Sequence, residues 1–288
     1  MIYVTKADGR RQVFDKLKIA RTCVRMGASK EEAENIPEKI EKKIQDGTTT
    51  KKILQMIFSE LENYRPEVKK IIDLREAISL LRPKPDFEKF VAEILKSLGY
   101  QIQTNQIVSG KCVGHEIDVI AHNRNEIIYV EVKHHMQHHT FTGVDVFLEA
   151  NSTFEDLCEG YLRGKNKIKF TRAVVVSNTK ISDHAWRYSK CRGIDNIGWK
   201  SPPGDSLEDM IERNKLYPIT LLKNLERDDE EKLGDAGIIL LRQLVEKSEA
   251  EISNLAKIPK QKIEKLVPAA KEILERSQTA VYSPTKTS

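Results

Sequence analysis

Two short apolar segments, IDVIA at residues 117–121 and IIYVEVK at 127–133, flank the polar stretch at 122–126. β-Branched and aromatic residues on both sides of a polar turn predict a β-hairpin. Three ionisable residues interrupt it: Asp118 in the first segment, Glu131 and Lys133 in the second. Residues two apart share a face of a strand, so Glu131 and Lys133 point one way and Val130 and Val132 the other. A turn centred on HNRN brings Asp118 close to Tyr129–Glu131 across the hairpin. Two carboxylates and an ammonium then meet at one end of a small sheet. Such carboxylates repel unless a cation lies between them, and hard oxygen donors favour Mg²⁺ or Mn²⁺. A lysine beside that ion can orient an attacking water, whose pKa the ion lowers while it neutralises charge developing on a phosphate. The chemistry suits metal-assisted phosphodiester hydrolysis. The spacing D-x12-E-x-K alone fits equally an edge hairpin whose Glu and Lys face solvent.

The remainder of the chain gives this hairpin a setting. At 288 residues the chain is long enough for two or three domains. Residues 1–82 open with a short strand and turn helical: Ser29 and Glu32 form a capping box before Ala33, Ile36, Ile40 and Ile44, Gly47 is placed to stop that helix, and Ile53, Ile57 and Leu61 line the next. A further helix over 67–81 ends at Pro83-Lys84-Pro85, which marks the first boundary. Residues 83–222 alternate helices with strands (a helix at 86–98 stopped by Gly99, the hairpin, the buried strand AVVVS, a strand near NIGW), the pattern of an α/β domain. Residues 223–275 are helical again, with a second capping box at Ser248 and Glu251, and the polar tail 276–288 is expected to be disordered.

The net charge of +5 is compatible with a polyanionic partner without requiring one. No apolar run approaches the roughly 20 residues that span a bilayer, and the amino terminus lacks a signal-like core. Four widely spaced cysteines, Cys23, Cys112, Cys158 and Cys191, form no CxxC pair and favour reduced thiols in a cytoplasmic protein.

The order of EIDVI, EVK, VVVSNTKIS and NIGW resembles the PD-(D/E)xK nuclease superfamily, specifically its Mrr-like restriction endonuclease branch, over most of residues 86–222. The resemblance implies a restriction-endonuclease-like central sheet flanked by helices, with Asp118 and Glu131 as metal ligands and Lys133 as the catalytic lysine. The family often adds a glutamate from the first helix. Glu88 suits that role better than Glu93, because it lies nearer the apolar face of Phe87, Phe90, Val91, Ile94 and Leu98. An N-terminal glutamate favouring the helix dipole is the other reading of Glu88. His115-Glu116 stand where a glycine-rich loop is common in the family.

The tract HHMQHH, with His134, His135, His138 and His139, has three readings. It is a polar loop, a substrate-side contact at the mouth of the site, or, if helical, two i,i+4 pairs able to bind Zn²⁺.

Residues 3–19, YVTKADGRRQVFDKLKI, resemble the start of an ATP-cone, with Val4, Lys6, Gly9, Phe14, Asp15, Lys18 and Ile19 in register. That resemblance implies ATP or dATP as a regulatory ligand of a mainly helical domain, contacted by Val4, Lys6, Gly9, Arg10 and Lys18. Ala7 stands where an arginine is common, and Arg10 or Arg11 can compensate; a helical association module without nucleotide is the other reading. The carboxy-terminal helices are similar to helix–hairpin–helix modules that hold DNA backbone, with Lys260, Lys262 and Lys265 as phosphate contacts. A dimerisation bundle is the alternative, because the usual hairpin glycine pair is absent. The chain is thus expected to be a nucleotide-regulated, Mg²⁺-dependent DNA endonuclease, a homodimer on the reasoning that duplex cutting needs two sites. The competing expectation is a nucleic-acid-binding scaffold with an inactive nuclease domain.

Overall fold

The computed structural model describes residues 1–7, 9–26, 28–64 and 71–276. The helix start expected over 67–70 and the polar tail from Ser277 lie outside the described residues. The chain divides into two compact units, one formed by Met1–Ile72, Leu222–Glu226 and the residues from Leu244 onward, the other by Asp73–Leu221 and Arg227–Gln243.

The first unit opens with an antiparallel hairpin of β1 (Tyr3–Thr5) and β2 (Arg11–Val13), followed by α1 (Lys16–Arg25), α2 (Lys30–Glu41) and α3 (Thr50–Tyr64). Asp15 caps α1 by accepting from the Leu17 and Lys18 amides, and Ser29 and Glu32 close the expected capping box on α2. Helix α2 ends at Glu41, ahead of Gly47. That glycine instead takes φ +86 in the following turn and donates its N–H to the Tyr3 carbonyl. Val4, Cys23, Ile36, Ile40, Ile53, Ile57 and Leu61 pack into one core.

The second unit begins with α4 (Leu74–Leu80), capped by Asp73, and α5 (Glu88–Ser97). There follow β3 (Gln101–Ser109), β4 (Gly114–His122), β5 (Ile127–Lys133), β6 (Phe141–Thr142), α6 (Val144–Leu162), β7 (Arg172–Ser177), β8 (Lys180–Ile181), α7 (Asp183–Arg192), β9 (Asp195–Ile197), α8 (Leu207–Asn214) and α9 (Arg227–Asp235). Three further helices complete the chain: α10 (Leu241–Glu246), α11 (Glu249–Ala256) and α12 (Lys260–Arg276).

The main sheet has the order β3-β4-β5-β7-β9. Its first three strands form an antiparallel meander, and β5, β7 and β9 run parallel with α6 and α7 as crossovers. Ile120, Tyr129, Phe147, Ala150, Leu157, Phe170, Ala173, Val175 and Ile194 fill the layer under α6 and α7. Val119, Val130, Val174 and Val176 alternate with them on the other face. The sheet is covered on both faces, which is why its central strands read as nearly continuous apolar runs.

Ile117 and Ile120 both belong to the α6 layer, although residues three apart in an unbroken strand face opposite ways. The ladder explains this. It runs from Gln101↔His122 to Thr104↔Val119 and resumes at Gln106↔Ile117, leaving out Asn105 and Asp118. Asn105 is left-handed, with φ +53, a conformation that Asn tolerates better than most residues. The ladder is interrupted at the position of the aspartate, while β4 and its register continue on either side.

Candidate active site

Asp118 is only 7% exposed and divides its two oxygens. Oδ2 accepts from the Val132 amide at 3.0 Å, and Oδ1 accepts from Lys84 Nζ at 3.0 Å. The pairing Val119↔Val130, continued by one residue, sets Asp118 opposite Glu131. Glu131 is half-buried, and its Oε2 accepts from the Tyr129 hydroxyl at 2.6 Å. Burial pushes the Glu131 carboxyl above its ordinary range; the Tyr129 hydrogen bond opposes this, the negative charges of Asp118 and Glu149 add to it, and Lys133 counters them. Lys133, the last residue of β5, is exposed and lies beside Ser177 of β7. Thus Glu131 and Lys133 occupy the carboxyl end of a parallel strand, where ligands of open α/β sheets bind.

Glu88 opens α5 and is 3% exposed. Its Oε1 pairs with Lys84 Nζ at 3.1 Å. Burial raises the Glu88 carboxyl, the Lys84 contact lowers it, and the Asp118 charge raises it again. Glu93, the other glutamate of that helix, is engaged elsewhere, with Lys96 at 2.8 Å and Arg242 at 2.7 Å. The structure therefore brings Glu88, Asp118, Glu131 and Lys133 to one end of the sheet.

Two neighbours escaped the sequence reading. Tyr129 shares a strand face with Glu131, so alternation could have found it. Lys84, with an extended backbone, precedes Glu88 by four residues, and nothing in the proline-flanked segment indicates that its side chain turns inward. Hard carboxylate oxygens are the donors that Mg²⁺ or Mn²⁺ take, so the residues fit such an ion in kind. No three His, Cys, Asp or Glu side chains among the described residues form a ready-made metal cage, so the fit is one of donor chemistry.

The histidine tract is irregular, so the helical i,i+4 pairs considered for Zn²⁺ do not form. His134 Nε2 lies 3.1 Å from the Ile78 carbonyl, with its ring centroid 4.9 Å from that of Phe87. His138 Nδ1 meets Ser79 Oγ at 3.2 Å, and burial lowers its pKa to about 4. Asn178 clamps the His135 backbone from both sides: its Oδ1 accepts from the His135 amide, and its Nδ2 donates to the His135 carbonyl, each at 2.8 Å. Below, the hydroxyls of Thr142, Ser177 and Thr179 form a buried network. His115, on the same strand as Asp118, binds Asp156 of α6 at 2.8 Å, and Asp156 also accepts from the Cys112 and Val113 amides.

In the first unit, Lys6, Gly9 and Arg10 lie together at the β1–β2 turn: the Lys6 amide donates to the Arg10 carbonyl, and Gly9, with φ +79, donates to the Lys6 carbonyl. Val4 is buried in the core, and Lys18 lies 3.8 Å from Asp15 in the first turn of α1. Lys260 opens α12 and pairs with Glu264 at 3.5 Å, Lys262 pairs with Glu226 at 2.7 Å, and Lys265 is exposed. Between α11 and α12 the left-handed position that glycine usually fills is held by Lys257, with φ +54.

Residues 83–198 match the family model of the Mrr-type restriction endonuclease domain, and residues 217–274 match that of the AF1548-like carboxy-terminal domain. An uncharacterised protein of Archaeoglobus fulgidus is 30% identical over 184 residues, covering 64% of this chain and 99% of that protein. The chain belongs to the AF1548-like family. The crystal structure of AF1548, a protein of unknown function, matches this member of the family with a TM-score of 0.57 at 30% identity, covering 65% of this chain and 96% of that one. A second uncharacterised protein of the same organism is 48% identical over 42 residues, 15% of this chain and 89% of its own length. The AF1548-like chain thus carries a restriction-endonuclease domain in its mixed α/β unit, and none of its described helices is long and apolar enough to cross a membrane.

Proposed function

We propose that this AF1548-like protein is a Mg²⁺- or Mn²⁺-dependent DNA endonuclease whose site is built from Asp118, Glu131, Lys133 and Glu88. One observation carries the reading. Asp118 is left out of the β3–β4 ladder opposite Glu131, with Lys133 two residues further along the same strand, inside the segment that matches the restriction endonuclease model. Asp118 and Glu131 would hold the cation, with Glu88 supplying a further oxygen. A divalent ion there supplies Lewis acidity for the phosphodiester and acidifies a bound water. Lys133 orients the attacking water and stabilises its deprotonated form, and the Asp118–Val132 hydrogen bond fixes the carboxylate on which the cation would rest.

The same proposal assigns phosphate contacts to Lys260, Lys262 and Lys265 at the start of α12, and regulation by ATP or dATP to Lys6, Gly9, Arg10 and Lys18, with Val4 holding the hairpin. Two copies of the chain would cut the two strands.

The test is a Mg²⁺-dependent cleavage assay of the full chain on linear, supercoiled, methylated, branched and single-stranded DNA, each with and without ATP or dATP. Wild type is expected to cut at least one substrate. Asp118→Ala and Lys133→Ala are expected to lose at least about a hundredfold in rate while keeping wild-type circular dichroism. No cutting by wild type, or equal cutting by the variants, would overturn the enzyme reading. Labelled ATP that fails to bind saturably would remove the regulatory part alone.

A further inference from the structure

Lys84 lies outside the residue set just assigned, yet its ammonium stands among acidic groups of the site. Nζ is 3.0 Å from Asp118 Oδ1, 3.1 Å from Glu88 Oε1 and 3.4 Å from Glu116 Oε1. Two of these carboxylates, Asp118 and Glu88, are more than nine-tenths buried, and apart from Lys84 no donor meets Glu88 Oε1 among the described residues. The ion pair with Lys84 is thus what compensates the charge on that oxygen. Lys84 itself is different in kind. Its side chain is 59% exposed and reaches the carboxylates from solvent. Pro83 and Pro85 on either side limit the backbone, so the side-chain torsions are what move the ammonium in or out.

We propose that Lys84 is a tethered monovalent occupant of the cation position at Asp118 and Glu88, which a divalent ion must displace before the site becomes active. The inference rests on the nuclease reading above. A carboxylate oxygen in contact with an ammonium cannot coordinate a metal along the same direction, and two cations at such range repel. Loading the metal therefore requires Lys84 to swing outward. A DNA phosphate at the mouth of the site is the natural partner for the released ammonium. Metal and DNA would then bind cooperatively, each raising the affinity for the other by the same factor.

The test is Mn²⁺ binding to the full chain, read from the electron paramagnetic resonance of free Mn²⁺, with no cleavage step. Lys84→Met is expected to bind Mn²⁺ about tenfold more tightly than wild type, within the usual range of coupling between sites, and Lys84→Arg to stay near wild type. Lys84→Gln serves the same purpose if the Met variant does not fold by circular dichroism. Lys84→Met or Lys84→Gln affinity equal to or weaker than wild type overturns the inference while leaving the nuclease reading intact. Mn²⁺ binding to neither wild type nor variants overturns the inference and the metal reading together.

Discussion

Replacing Tyr129 by Phe removes one hydroxyl from the site. The Tyr129 ring is 1% exposed and packs edge-on to Phe170, with centroids 6.3 Å apart, and Phe retains all of that. What is lost is chiefly the 2.6 Å bond from the hydroxyl to Glu131 Oε2, a length typical of a charge-assisted O–H···O⁻ contact, along with the hydroxyl's contact with Thr153. Hydrogen bonds to charged groups contribute about 1.5–3 kcal/mol, and the partial exposure of Glu131 favours the lower figure. A loss of about 1.5 kcal/mol in a unit of this size corresponds to roughly 3–6 °C in melting temperature. The pH dependence has a definite sign. Tyr129 lowers the Glu131 carboxyl against burial, so removing the hydroxyl raises it further, and the acidic limb of the cleavage profile moves to higher pH. Conversely, Glu131 is already raised in the fold, so its contribution favours the fold at acid pH and is lost as pH rises through the folded value. Glu131→Gln is therefore expected to be more stable than wild type at neutral pH, with the gap closing on acidification, although cleavage is abolished. Urea unfolding of wild type, both single variants and the double variant gives the coupling. A Tyr129→Phe protein within about 0.5 kcal/mol of wild type, with an unmoved acidic limb, would refute the reasoning.

Asp156 is held far below the ordinary carboxylate range, first by His115 and then by the Cys112 and Val113 amides. Its stabilisation is present above the unfolded pKa and lost as pH falls, so the urea midpoint of Asp156→Asn should lie below wild type at pH 7 and converge with it under strongly acid conditions. Gly160 of α6 lies so close to the β3–β4 turn that an added Cβ would meet the Gly110 carbonyl carbon and the Ser109 oxygen at 2.7 Å. Gly160→Ala should cost about 1–3 kcal/mol by overpacking, measured by urea unfolding. Replacing Lys260, Lys262 and Lys265 with Ala should weaken DNA binding uniformly across sequences and flatten its salt dependence by up to about one unit of slope per lysine, measured by fluorescence anisotropy.

The sequence made the hairpin legible because alternation and turn chemistry are local. The pairing of Asp118 with the far end of β5, the alternating helices and strands, and the caps at Ser29 and Ser248 all follow from residues a few positions apart. What stayed hidden depends on partners distant in sequence. Asn105 gave no sign that it would adopt a left-handed conformation and break the ladder opposite Asp118. Asn178 meets His135, 43 residues away, for reasons that only the parallel pairing of β5 and β7 supplies. The helix expected to run to Gly47 stops at Glu41, because Gly47 is used in a turn under the β1 strand instead. The histidine tract left three readings open for a related cause: its spacing also suits a helix, and only the distant partners in α4 and at the end of β7 tie His134, His135 and His138 individually.

The Asn178 clamp also bears on how this site can vary. Strands β5 and β7 separate just beyond Lys133 and Ser177, and the amide bridges them at the point of separation. An amide is needed there, since the His135 backbone offers one donor and one acceptor and a carboxylate matches only the donor. With that point fixed, residues 136–140 form a loop anchored close to both its ends, at His135 and at Thr142. Within it, His138 alone of the residues described above reaches back to α4, at Ser79. The amide thus holds the carboxyl ends of β5 and β7 at a fixed separation independently of the residues that follow His135.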